Sequence, residues 1–254
     1  QLRDMANRVP FDDRGNENIG IDDISPLLLK DYLTKIDSRL AKANFATDIE
    51  TILDQMQLYD GPKEKRIIKN VAAMMFSEHP EKFFPTTQVD IVVFPKGREV
   101  DPENFIEVPP IKGPVPMMIR NSLEYLRTNI IKERITKPTD DERSLKVFNY
   151  PFQALEEAVV NALYHRDYKE REPVEITIEP DRISILSYSG PDRSISLESL
   201  KEANMLRSRR YRNRRLGDFL KELDLTEGRA TGIPTIQKKL RENGSPKATI
   251  ETDD

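Results

Sequence analysis

Tyr150–Asp167 reads YPFQALEEAVVNALYHRD. Glu157, Asn161 and His165 recur at every fourth residue, close to one helical turn, so a helix here stacks a carboxylate, a carboxamide and an imidazole on one face. Leu155, Ala158, Val159, Ala162 and Leu163 make the rest of the segment strongly apolar. Such a helix is partly buried, and a polar row on it needs partners.

Composition bounds what those partners are. The chain has 254 residues, 37% apolar and 33% charged, with a net charge of −4. That length fits one or two domains, and that charge does not by itself argue for nucleic acid or membrane. Cysteine is absent, which removes disulfides and thiolate chemistry. His79 and His165 are the only histidines, too few for an all-protein zinc site. No apolar run is long enough to span a bilayer. QLRDMANRVPFDD lacks a signal-peptide core and does not start with Met, and ETDD closes a strand-like run. These features read as a cytoplasmic protein and as a piece of something longer.

Outward from the central helix, periodicity predicts the other elements. Ser25-Pro26 starts a helix running through Leu28, Tyr32 and Ile36, and Asp48–Leu58 reads as a second. Ile67–Phe76 is apolar and fits helix or strand. Val89–Phe94 is a strand by its β-branched content, and Asn104–Val108 reads as another. Pro109, Pro110, Pro114 and Pro116 mark a domain boundary, dividing residues 1–112 from 113–254. A helix follows over Met117–Ile131, then a charged excursion over Lys132–Arg143 and a short strand over Leu145–Asn149. VEITIE, Pro180-Asp181 and RISILS form a hairpin. Ser196–Asn204, Arg214–Leu223 and Ile233–Asn243 read as helices, the last capped by Gly244. Ala248–Thr252 reads as a final strand.

Three motifs carry chemistry, and each has a plainer reading beside it. A carboxylate at Glu157 is placed to orient a water near phosphorus, and the Asn161 amide oxygen suits Mg²⁺; the same pair serves a helix with a polar edge. Gly228 and Gly232 in EGRATGI let backbone N–H groups approach an anion, or simply join two elements. Arg207–Arg215 holds six arginines in nine residues. It reads as a solvated loop or lid with anion contact, or as a nucleic-acid contact of steep salt dependence. His165 meets the helix C-terminal dipole as readily as a ligand, and Arg166 and Asp167 read as a local pair. No GxxxxGK[ST], HExxH or GxSxG occurs, so no translocating motor motif is present.

In this order, EEAVVNALYHRDY (156–168), DRISILSYSGPDRSI (181–195), RNRRLGDFL (212–220) and EGRATGI (227–233) resemble the GHKL ATPase superfamily. They look most like the divergent histidine-kinase-like ATPase domain of bacterial regulators that carry a Schlafen-type AlbA domain. VPFDDRGN and NVAAMMFSEHPEKFFP resemble the region after AlbA in those proteins. The resemblance implies an α+β chain: an α/β middle region over 1–112, then a Bergerat-type α/β sandwich with a mixed sheet and helices on one face. It implies ATP with Mg²⁺ as cofactors, Glu157 activating water and Asn161 holding the metal. Gly190 lines the adenine end, and Gly228, Thr231 and Gly232 meet phosphates. His165, Asp167, Arg212 and Asn213 belong to the matching words and join the nucleotide-binding set. The implied partners are nucleotide, DNA through domains outside this chain, and a second copy in a homodimer. The superfamily places an Asp two residues before its first glycine to read adenine; Tyr188 stands there, between Ser187 and Ser189. A scaffold of the same fold used for protein contacts, without nucleotide, is the alternative.

Overall fold

The structure, a computed structural model, describes residues 9–45, 47–136, 145–190, 211–226 and 232–252. Its helices are α1 (Pro26–Lys35), α2 (Ile49–Gln55), α3 (Asn70–Phe76), α4 (Val115–Asn129), α5 (Phe152–His165), α6 (Arg214–Glu222) and α7 (Gly232–Glu242). Its strands are β1 (Tyr59–Asp60), β2 (Ile67–Ile68), β3 (Val89–Val93), β4 (Ile106–Glu107), β5 (Glu133–Thr136), β6 (Leu145–Phe148), β7 (Val174–Ile178) and β8 (Ile183–Leu186). The class is the expected one, α+β with a mixed main sheet.

That sheet has the order β4-β3-β7-β8. β3 and β7 are parallel, with Ile91 opposite Ile176, while β4 and β8 join antiparallel at the two edges. A parallel pair needs a crossover, and the segment from α4 to α5 supplies it. Alternation decides which face is buried: Val174, Ile176 and Ile178 are inside, and Glu175 and Thr177 between them stay half-exposed. β7 and β8 form the hairpin read from VEITIE and RISILS, closed by Glu179 N donating to Arg182 O at 2.9 Å. α5 packs against α4, β8 and α7.

The proline-marked position near residue 112 lies between β4 and α4, and the sheet draws strands from both sides of it. α6 also crosses it. Tyr32, Phe76 and Phe219 meet edge to face with centroids 5.4–5.8 Å apart, the Tyr32 hydroxyl bonds Glu222, and Arg215 Nη2 donates to Met56 O. Buried side chains from Ile19 to Leu220 form one core.

Three readings change. Ile67–Phe76 is both strand and helix, β2 followed by α3, with buried Asn70 opening the helix and donating to Phe11 O. The charged excursion contains β5, because β6 supplies it with a ladder partner. Ala248–Thr252 is not a strand: the Gln237 side chain takes both the N–H and the C=O of Ala248, at 3.0 and 2.8 Å. Gly244 does cap α7. It has φ 74°, its N–H reaches Arg241 O, and Ser245 N reaches Leu240 O, the paired bonds of a Schellman turn. The helix read over Ser196–Asn204 lies outside the described residues.

Candidate functional site

α5 is the spine of the site. Leu155, Val159, Val160 and Leu163 are buried, while Glu157, Asn161 and His165 lie along a half-buried edge. Along that edge Asn161 Nδ2 donates to Glu157 Oε1 at 3.3 Å. The start of α7 rests on the same amide. A β-carbon on Gly232 would stand 2.2 Å from Asn161 Nδ2 and 2.8 Å from Oδ1, so any larger residue there has to displace the amide. The other glycine corner, Gly190, lies at the opposite end of the edge: Arg212 Nη1 bridges His165 O (2.7 Å) and Gly190 O (3.4 Å). Gly190 has φ 51° and Ser189 φ 79°, two successive left-handed residues at the end of the β8 turn. Gly228 and Thr231 lie outside the described residues.

The C-terminal end of α5 explains several motif residues. The last turn of a helix leaves carbonyls without backbone donors. Here five successive carbonyls are met by side chains. Ser187 Oγ donates to Ala162 O and Tyr168 Oη to Leu163 O. Buried Asn213 Nδ2 donates to both Tyr164 O and Arg166 O at 2.8 Å, and Arg212 takes His165 O. Arg212 Nη2 also holds Ser189 O at 3.0 Å, and its Nε lies 3.9 Å from Asp167 Oδ2. Arg212 and Asn213, read as lid or nucleotide residues, thus have protein partners that fasten α5 to β8 and α6.

The local pair read for Arg166 and Asp167 is not formed. Arg166 is 1% exposed and donates to the carbonyls of Thr86, Glu170 and Glu172, while Asp167 faces Lys169 and Arg212. Burial pulls the Arg166 guanidinium below its ordinary pKa and pushes the Tyr168 and Tyr164 phenols up. The His165 ring stacks on Tyr211, centroids 6.4 Å apart.

At the position of the adenine-reading Asp, Tyr188 is 40% exposed. Ser187 has its hydroxyl proton on Ala162 O. A cleft of about 250 Å³ lies elsewhere, among Leu28, Tyr32, Phe76, Pro116, Met117 and Leu223, and none of the expected site residues lines it.

The donors at Glu157 and Asn161 are hard oxygens of the kind magnesium takes alongside phosphate. The Asn161 amide donates to Glu157 and packs against Gly232, which leaves its oxygen as the atom able to face a cation. Among the described residues no group of three or more His, Cys, Asp or Glu could hold a metal ion, and no helix is long and apolar enough to cross a membrane.

Residues 172–254 match the model of a family described as putative ATP-dependent DNA helicase RecG C-terminal. By this match the region is similar to an ATPase-like family. It contains β7, β8, Gly190, α6 and α7, and stops short of Glu157 and Asn161 on α5. No curated protein matches the chain. Among solved structures, the DIP2311 protein from Corynebacterium diphtheriae matches with a TM-score of 0.65 at 19% identity, over 96% of this chain and 46% of its own. The chain thus shares a fold with slightly less than half of that protein.

Proposed function

We propose that this chain is an ATP-binding regulatory module of a bacterial transcriptional regulator, with DNA contacted by domains outside it. The reading is carried by one observation: two glycine corners distant in sequence, Gly190 and Gly232, both adjoin the Glu157–Asn161–His165 edge of α5. The similarity of residues 172–254 to an ATPase-like family supports it. In this reading Asn161 holds magnesium, Glu157 aligns water, and Gly190 borders the base. Gly228, Thr231 and Gly232 lie by the phosphates, with a homodimer as the working assembly.

Titration calorimetry with ATP and Mg²⁺ tests it. Heat of binding is expected at millimolar nucleotide, with Glu157→Ala keeping binding while losing turnover, and Asn161→Ala losing the magnesium-dependent part. Unaltered turnover in both variants overturns the roles, and absence of heat overturns the reading.

A second reading, a scaffold for protein contacts without nucleotide, is favoured by two particular features. Asn161 is in contact with Gly232, and Tyr188 stands where the adenine carboxylate is expected. It is the reading that survives if calorimetry is silent.

A further inference from the structure

Pro114 and Pro116, from the proline run that precedes α4, help to wall the cleft of about 250 Å³ away from the α5 edge. α1, α3, the start of α4 and the end of α6 meet there, so the cleft draws on residues from both sides of the prolines. Tyr32, Met75 and Phe76 line it and are buried. A helix start ordinarily offers free N–H groups. Here Pro116 has none, and the N–H groups of Met117 and Met118 both bond Pro114 O, at 2.9 and 3.0 Å. The α4 wall is therefore apolar where most helix starts are polar.

The charged and amide side chains that line the cleft are exposed and so stand at its mouth. Asp31 and Lys35 neutralise each other at 2.5 Å, and the Tyr32 hydroxyl is taken by Glu222. Arg120 is different. It has no hydrogen-bond or ion-pair partner among the described residues, and it lies about one helical turn from Pro116 and Met117 on the same side of α4. A molecule entering the cleft meets apolar side chains and, at the mouth, a guanidinium whose fork of donors is free.

We propose that this cleft binds a small aromatic monocarboxylic acid, its ring against Met75, Phe76 and Pro116 and its carboxylate on Arg120. Volume, chemistry and charge each point to that class. An apolar cavity of about 150 Å³ accommodates benzene, so this one has room for two fused rings. Tyr32 and Phe76 already meet edge to face with centroids 5.4 Å apart, and a further ring extends that cluster. Met75 and Met117 bring thioether sulfurs, which pack favourably at ring edges. A carboxylate takes the Arg120 fork in two parallel hydrogen bonds, whereas a cation or a neutral molecule leaves it unpaired. The proposal does not depend on the nucleotide reading, since Glu157, Asn161 and His165 lie outside the cleft.

The test titrates naphthoate, and naphthamide as its neutral counterpart, into the full chain labelled with ¹³C-methyl methionine. Of the seven methionines, Met75 and Met117 are expected to shift most, and to saturate at millimolar naphthoate or below. Arg120→Ala is expected to weaken naphthoate about tenfold and to leave naphthamide unchanged. Met117→Asp, which sets a carboxylate at the mouth, is expected to abolish the naphthoate shift at Met75. Both substituted positions are exposed, so neither variant removes a core side chain. Shifts spread evenly over the seven methionines, or none at Met75 and Met117, overturn the site. Equal naphthoate affinity in the full chain and in Arg120→Ala overturns the carboxylic acid as its ligand.

Discussion

Two glycines in this chain are contact residues before they are anything else. Gly217 lies inside α6, where glycine costs about 1 kcal/mol relative to alanine. It is kept there by Tyr164, whose hydroxyl would lie 2.3 Å from an added β-carbon. Tyr164 is buried and cannot swing freely, so Gly217→Ala is expected to lower stability by about 1–3 kcal/mol, the usual cost of overpacking. Chemical denaturation measures it; a gain in stability, as helix propensity alone predicts, would show that the helices are not in contact. Gly232 faces Asn161 in the same way, and there the contact can be tested as a pair. Gly232→Ala should destabilise by about 1–3 kcal/mol, and much of that loss should vanish when Asn161→Ala removes the partner. Strict additivity of the two substitutions would mean that α7 does not rest on the amide. In the sequence Gly217 lies unmarked within the Arg214–Leu223 helix, and Gly232 within a glycine turn. EGRATGI could be read as a phosphate turn because the residue that meets Gly232 is a carboxamide far upstream.

At the scale of elements, α5 was legible and its fastening was not. Periodicity fixes the helix, its apolar side and the Glu157–Asn161–His165 edge, since all three follow from positions within the same segment. The β7–β8 hairpin was legible for the same reason, by alternation around Pro180-Asp181. The donors for the α5 carbonyls come from 47 and 49 residues away at Asn213, and no local pattern reports such a distance. Arg212 and Asn213 were absorbed into a run of charge, although one clasps carbonyls and the other is buried. The two readings separate experimentally. If Asn213 is a helix fastener, Asn213→Ala leaves two buried carbonyls without donors and costs about 2–4 kcal/mol. Arg212→Ala should cost less although Arg212 makes more bonds, because its side chain is 25% exposed and water can replace it. If they are nucleotide ligands instead, both substitutions weaken AMPPNP binding and leave the melting temperature where it was.

Over the whole molecule, the longest hydrogen-bonded link among the described residues is also a titrating one. Asp12, in a short 3-10 turn near the start, accepts the backbone N–H of Leu216 at 2.7 Å and so caps α6 from 204 residues away. Together with the Tyr32–Phe76–Phe219 aromatic cluster it ties α6 to the first third of the chain. The carboxylate is fully buried, and its second oxygen has no protein partner. Burial raises its pKa from the ordinary 3.8 to about 6, against the opposing pull of the Leu216 N–H. The sign follows from linkage. The folded state holds this proton more tightly than the unfolded state, so the group contributes stability that is complete below pH 3.8 and lost as pH rises through about 6. The loss is on the order of 3 kcal/mol, from the rise from 3.8 to about 6. Asp12→Asn keeps an oxygen for Leu216 and cannot ionise. Denaturation of both proteins across this range is therefore expected to give equal stabilities in acid and a growing advantage for the variant, reached by pH 7. If wild type is instead the more stable at pH 7, the N-terminus of α6 favours the ionised carboxylate more than burial opposes it. Asp12 would then be a charged cap, losing its contribution as pH falls.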